Sequence, residues 1–426
     1  MSKPIEIRCP IYGFIPLDAW EHEIISQPAY QRLRRIRQLA WTDAVYPGAM
    51  HTRFEHSLGV MHMATMLFDG IVSRCWDYLK SDLGYDDAGR TRYRKLVRLA
   101  ALLHDLGHGP FSHAAEDLAP MKGDEPKAGR YQHEEYSTAI ISRDFRDVIE
   151  DHKANNNYGF SVSDIAGLIE GGPAAGRAAL WQELISGQLD ADRMDYLIRD
   201  AYHAGVEYGR YDWRRIANTV ELVPDVESGE PRLGVADGGR HAAEGLIIAR
   251  YMMFSQVYFH KTRVILDFHL HQAVKTLLPG ERFPRPVAEE LDGYLRWDDW
   301  RVLGKLIEGE GGEHGQRLVG RNFYRQVWET PEFPSAEDEV RFAEAEQTLD
   351  DLKPVRREAG KSWYKVGEAD LPVSAARAGD KTKPLSMCST IVGKMQPSRC
   401  ARLYVKPEHR AEAQKRLEAL DRGKKQ

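Results

Sequence analysis

The sequence predicts a mainly α-helical protein with a small α/β appendage at its C-terminal end. Three observations carry that expectation. Apolar residues recur at helical rather than alternating spacing through about the first 280 residues. Polar, glycine-containing stretches at 121–130, 153–159 and 308–316 separate the periodic segments. After about residue 320 the pattern changes, with 362–366 and 401–405 reading as strands and 407–421 as a charged terminal helix. The chain is thereby divided into a main domain over 1–320 and an appendage over 321–426.

The first strong helix is expected from about Arg53 to Val72. The second, Arg92 to Leu106, is the most apolar in the chain. Its Leu96, Val97, Leu99, Ala100, Leu102 and Leu103 cover much of the helix surface, as central burial requires. Gly107 and the Gly109-Pro110 pair would stop it. A third helix is expected from about Ala178 to Tyr202, and a long fourth, rich in aromatics and Met, from Ala242 to Leu278. Between them, 219–240 alternates in short runs around Glu227-Ser228-Gly229 and Asp237-Gly238-Gly239, the pattern of a small hairpin.

Composition narrows the functional classes. At 426 residues there is room for one large domain and an appendage. Lys and Arg total 59 against 64 Asp and Glu, a formal charge of −5, so no global positive field favours nucleic acid. Any nucleic-acid contact would need a local basic pocket. Cys9, Cys75, Cys388 and Cys400 form no CxxC pair, which argues against structural zinc or a disulfide framework and fits a reducing compartment. The opening MSKPIEIRCPIYGFIPL lacks the apolar run of a signal peptide. No stretch approaches the roughly 18 apolar residues that span a bilayer. The expected location is the cytoplasm, with no membrane partner.

His104-Asp105 falls at the end of the most apolar helix, where a charged carboxylate is costly unless it is paired or bound to a cation. Adjacent helical residues point about 100° apart, so two of them can grip one ion only with further ligands from other helices. His56 and Asp192 are suitable candidates. Two imidazoles and two carboxylates suit Fe, Mn, Zn, Ni or Mg and leave positions open for water and a phosphate oxygen. An isolated His-Asp pair is more often a helix-end ion pair. Histidine density separates this case: His51, His56, His62, His104, His108, His113 and His133 supply seven of the chain's 16 histidines.

These residues sit in recognisable motifs. Arg53-Phe-Glu-His-Ser-Leu-Gly59, the run from His104 to His113 (HDLGHGPFSH), His133-Glu134, and the run from Asp190 to Asp200 (DADRMDYLIRD) resemble, in order, the motifs of the HD-domain superfamily. The nearest branch contains the deoxynucleoside triphosphate triphosphohydrolases and the sterile-alpha-motif/HD-domain protein. The resemblance covers roughly residues 25–275 and implies an HD-domain helical core.

By position, the resemblance implies His56, His104, Asp105 and Asp192 as ligands of a divalent metal ion. It implies His113 with Glu116 as a catalytic His/acid pair, His133 as a further active-site histidine, and Arg53, Arg193 and Arg250 as phosphate contacts. Gln38, Tyr196 and Asp200 resemble the residues that recognise a deoxyribose 3′-hydroxyl, and Tyr258 the one packed under the sugar. In such enzymes water attacks the α-phosphorus and intact triphosphate leaves. An imidazole then protonates the departing 5′-oxygen. That role falls to His113 or His133. Arg193 stands where some relatives have Lys, exchanging a point charge for a planar fork. Phe259 replaces a polar base-edge contact and Ser26 an Asp that reads a guanine activator, so neither base preference nor guanine activation carries over.

The implied function is hydrolysis of deoxynucleoside triphosphates to deoxynucleoside and triphosphate. The alternatives are an HD-type phosphatase or phosphodiesterase acting on other nucleotides or nucleic-acid ends, and a catalytically silent nucleotide-binding regulator. The intact ligand set weighs against the last. The resemblance also implies a homo-oligomer.

Overall fold

The computed structural model describes residues 5–123, 128–171, 178–224, 230–361, 364, 370–375 and 381–423. Among the described residues it is mainly α, with three small sheets. The chain divides into two compact units. One comprises 1–253, 282–301 and 364–394; the other comprises 254–281, 302–363 and 395–426. No helix among the described residues is long and apolar enough to cross a membrane.

In the first unit, a hairpin of Ile5–Cys9 and Gly13–Leu17 precedes the short helix Ala19–Ile25. The helix Arg53–Ser81 starts where it does because Glu55 reaches back to accept the Thr52 amide at 3.1 Å. That cap puts Arg53 and His56 in the first turn. The helix runs past the expected Val72 to Ser81, with non-helical dihedrals at Cys75. The apolar helix spans Asp87–Leu103, started by the Asp86 side chain, and every residue from Leu96 to Leu103 is buried. Truncating any of its leucines to Ala would cost on the order of 2–5 kcal/mol.

Two long helices expected from the sequence are each broken. Over 178–202 only Ala179–Gln182 and Ala191–Ala204 are α-helical. Asp190 adopts an extended conformation and its side chain accepts the Arg193 amide at 2.7 Å, so the second segment begins afresh. The long fourth helix is Arg240–Met253 followed by Lys261–Leu277, with a wider turn at Phe254–Tyr258. There His260 leaves helical geometry and its ring accepts the Thr262 amide. In both places a side chain competes with the helix for backbone donors, which apolar periodicity does not register. Part of the polar stretch 308–316 lies in a helix, Gly312–Val319.

The expected hairpin within 219–240 is present as Val220–Pro224 against Pro231–Val235; its Glu227-Ser228-Gly229 turn lies outside the described residues. Pro372–Val373 and Lys383–Pro384 extend this sheet. The strand expected over 362–366 also falls outside the described residues, apart from Tyr364. In the second unit, Ser398–Val405 is the central strand between Arg325–Glu329 and Val355–Lys361. The helices Ala336–Thr348 and Arg410–Gly423 close its core around Phe342, Leu349, Leu403, Val405 and Leu417.

A buried charge network joins the first helices. Glu21, 1% exposed, accepts Lys95 Nζ at 2.6 Å and Arg98 Nε at 2.7 Å, while Arg98 Nη1 reaches Thr65 Oγ1 at 2.8 Å. Burial pushes the Glu21 carboxyl up, but Arg98 and Lys95 outweigh it and hold it at about 2. A folded value below the unfolded one means stability present above about pH 4.5 and lost as pH falls toward 2, on the order of 3 kcal/mol. Glu21→Gln should therefore lower Tm at neutral pH and flatten its fall below pH 4.5. Parallel Tm–pH curves for the two proteins would contradict this.

Candidate metal centre and active site

His104 ends the apolar helix, and its position fixes its chemistry. Its Nδ1 lies 2.8 Å from the Ala101 carbonyl, which accepts a hydrogen bond from it. The proton therefore sits on Nδ1 and the Nε2 lone pair faces the site. That Nε2 is buried and has no hydrogen-bond partner. His56 is fixed likewise, with Nδ1 2.8 Å from an Asp195 oxygen. Both imidazoles thus present Nε2 to the same space.

Around that space, His56 Nε2 lies 3.0 Å from Asp192 Oδ1 and 3.5 Å from Asp105 Oδ2. His104 Nε2 lies 3.1 Å from Asp105 Oδ1 and 3.8 Å from Asp192 Oδ1. Two donors each about 2.1 Å from a common ion at 90–109° would be roughly 3.0–3.4 Å apart. The spacing, the mixed N/O set and the orphaned Nε2 fit a divalent ion. His56, His104 and Asp192 form a group able to hold one, and Asp105 stands beside it. Burial opposes a charged imidazole at His56, but Asp192 and Asp195 outweigh it and raise its pKa to about 10. Proton and cation compete for that Nε2.

Asp195 is the support the sequence reading missed, although it lies inside the quoted 190–200 motif three residues after Asp192. It is fully buried and also takes Arg199 Nε at 2.8 Å and the Tyr12 hydroxyl at 2.8 Å. A Cβ at position 59 would fall 2.0 Å from Asp195 Oδ1, so only glycine lets this carboxylate reach His56. Asp195→Asn should weaken divalent-metal affinity about 10- to 100-fold with the fold retained, as outer partners of metal ligands do. Isothermal titration with Mn²⁺ measures it; unchanged affinity would deny Asp195 that role.

A second cluster follows on the loop and the 3₁₀ segment Ser112–Leu118. Glu116 accepts His113 Nδ1 at 2.8 Å and His133 Nδ1 at 2.6 Å, so one carboxylate orients both candidate acids. Burial would push Glu116 up; the two imidazoles outweigh it and hold it well below the usual carboxylate range. His133 is raised in turn, Glu116 outweighing burial. His108, one of the seven clustered histidines, also joins this cluster. It is buried, stacks on His133 at 3.9 Å and lies 3.3 Å from Asp105. Burial, with Arg53 nearby, holds it well below its ordinary value. A small pocket opens here, lined by His108, Ser112, Glu116, Tyr131, His133 and Tyr294.

Of the other expected site residues, Arg53 is 4% exposed and donates Nη1 to Asp105 at 2.7 Å. The Gln38 backbone N–H donates to the His51 carbonyl at 3.0 Å, and His51 Nε2 lies 2.7 Å from Asp200 Oδ1, so Gln38 and Asp200 share one corner. The Gln38 side-chain oxygen is buried without a partner. Tyr196 meets the half-buried Arg250 through a side-chain hydrogen bond, and Arg193 lies 3.4 Å from Asp190. Tyr258 belongs to the second unit, where it is buried edge-on against Phe254.

The HD domain model matches residues 53–199, and the model of the HD associated region matches 214–354. The chain belongs to the HD-domain family. It is 32% identical over 405 residues to the uncharacterised protein YwfO of Bacillus subtilis, covering 90% of this chain and 84% of that one. It is 30% identical over 358 residues to human deoxynucleoside triphosphate triphosphohydrolase SAMHD1, covering 76% of this chain and 55% of the relative. An uncharacterised protein of Methanocaldococcus jannaschii, MJ1154, is 37% identical over 268 residues, 63% of this chain and 49% of its own. The chain thus spans about half the length of those two. A crystal structure of a hypothetical protein from Aquifex aeolicus superposes with a TM-score of 0.78 at 28% identity, covering 97% of this chain and all of that one.

Proposed function

We propose that this protein is a metal-dependent phosphohydrolase that converts deoxynucleoside triphosphates to deoxynucleoside and triphosphate. One observation carries the reading. His56 and His104, each locked with Nε2 facing Asp105 and Asp192, stand beside a Glu116 that holds two further imidazoles. The likeness to human SAMHD1, named a deoxynucleoside triphosphate triphosphohydrolase, supports the substrate class.

His56, His104, Asp105 and Asp192 would hold the ion. When bound, a divalent ion lowers the pKa of its water and polarises a phosphoryl oxygen. The protein's own groups do the rest. Asp195 holds the proton on His56 Nδ1, and the Ala101 carbonyl holds that on His104 Nδ1, so neither imidazole can turn away. Arg53, Arg193 and Arg250 bind the phosphates, and Gln38, Tyr196 and Asp200 orient the sugar. His113 or His133 donates a proton to the departing 5′-oxygen, while Glu116 orients both.

Anion-exchange analysis of products from a dNTP panel with Mn²⁺, Fe²⁺ or Mg²⁺ tests the reading. Tripolyphosphate and deoxynucleoside in equal amounts are expected. Release of orthophosphate or pyrophosphate would instead indicate a phosphatase or phosphodiesterase, and no turnover with any metal would reject the enzyme.

A further inference from the structure

The loop carrying His108 and His113 holds its backbone in an unfavourable state. Phe111 and Ser112 are consecutive non-glycine residues with φ of +58° and +55°. Each is unfavourable for a residue with a Cβ in that left-handed region and persists only where the surroundings fix it. Phe111 is fully buried, its ring stacked on Trp41 at 5.5 Å. The polar restraint comes from far along the chain. Asp299, the first residue of the helix Asp299–Ile307, accepts the Phe111 amide at 2.7 Å through one oxygen and the Arg37 amide at 2.8 Å through the other.

Asp299 is 1% exposed, and both its oxygens are committed to backbone amides. From the two segments it joins, contacts run inward to the site. Ser112 Oγ donates to the Arg37 carbonyl at 2.7 Å and accepts Arg53 Nε at 3.0 Å. Arg53 Nη1 then meets Asp105 at 2.7 Å. Neighbouring contacts brace the same loop: buried Arg32 donates to the carbonyls of Trp297 and Leu106, and the Tyr294 hydroxyl to that of Gly107.

We propose that Asp299 is a positioning residue of the hydrolytic site: by clamping the Phe111 and Arg37 backbones together it fixes Ser112, and Ser112 fixes the Arg53 guanidinium against Asp105. This rests on the phosphohydrolase reading above. Asp299 lies outside the HD domain match and inside the HD associated region, which gives that region a part in aligning the site. The clamp predicts coupling. A residue that only stabilises the fold would act independently of Ser112.

The test compares Asp299→Asn, Ser112→Gly and the double variant by kcat, KM, bound metal, Tm and the visible spectrum with Co²⁺. Asn keeps the shape but turns an NH₂ toward one of two amide donors. Glycine relieves the φ at 112 while deleting the hydroxyl. Each single variant should lose about 10- to 100-fold in kcat with KM within about threefold and metal content unchanged. Ser112→Gly should keep its Tm within a few degrees, and the double variant should fall no lower than the worse single one. Wild-type kcat in folded Asp299→Asn, or losses that multiply in the double variant, would overturn the clamp. If Asp299→Asn does not fold, Asp299→Glu is judged by the same criteria. If the wild-type protein turns over no nucleotide, the functional reading fails separately. The Co²⁺ spectrum then decides: a shift common to both single variants supports the clamp, and unshifted spectra overturn it.

Discussion

Asp105→Asn is expected to abolish metal retention and to lower turnover by roughly a thousandfold or more while leaving the helical fold in place. The carboxylate is 2% exposed and faces His104, His108, His56 and Arg53 within 3.5 Å. Arg53 outweighs burial and keeps it ionised well below the usual carboxylate range. Asparagine preserves the shape and an acceptor for Arg53 but removes the charge that a divalent ion needs opposite it. Asp105→Ala should fail in the same way with a lower Tm, because it leaves the guanidinium buried and unpaired, at a cost on the order of 3–5 kcal/mol. Elemental analysis of the purified variant, beside circular dichroism and turnover, decides the matter. Stoichiometric metal with wild-type turnover in Asp105→Asn would remove the basis for the functional reading.

The second large effect is expected at Glu116. Because it orients both His113 and His133, Glu116→Gln should cost about 10²- to 10⁴-fold in kcat with the metal retained. His113→Ala and His133→Ala separate the two acids. The one that protonates the leaving oxygen should lose far less on a nitrophenyl ester, whose leaving group needs no proton, than on a dNTP. The other should lose equally on both. The same small loss on both substrates for all three variants would place general-acid catalysis elsewhere.

The sequence exposes the parts of this site that are local. Arg53 and His56 share one capped helix turn, and His104-Asp105 close an apolar helix, so their motifs are contiguous and their chemistry can be read from neighbours. Glu116 stands three residues from His113, close enough for pairing to be anticipated. Its simultaneous bond to His133 is a fold-level fact. Asp195 had a usable signal, three residues along the helix from Asp192, but a carboxylate whose partners are Tyr12 and Arg199 looks from sequence alone like a surface charge. Asp299 had none, because its function depends on amides at positions 37 and 111. The helical class was readable from periodicity, whereas helix ends set by Asp190 and His260 were not, since caps act through single hydrogen bonds rather than through apolar pattern.

The N-terminal hairpin places one further demand on anyone who would isolate the catalytic segment. Its Tyr12 hydroxyl caps the carboxylate that steadies His56, and Cys9 Sγ lies 3.6 Å from the arginine on that carboxylate's other side. A fragment trimmed to the motif-bearing stretch would keep every candidate ligand yet open this inner layer to solvent. The smallest autonomous version of the protein is therefore set by its buttresses, not by its signature residues.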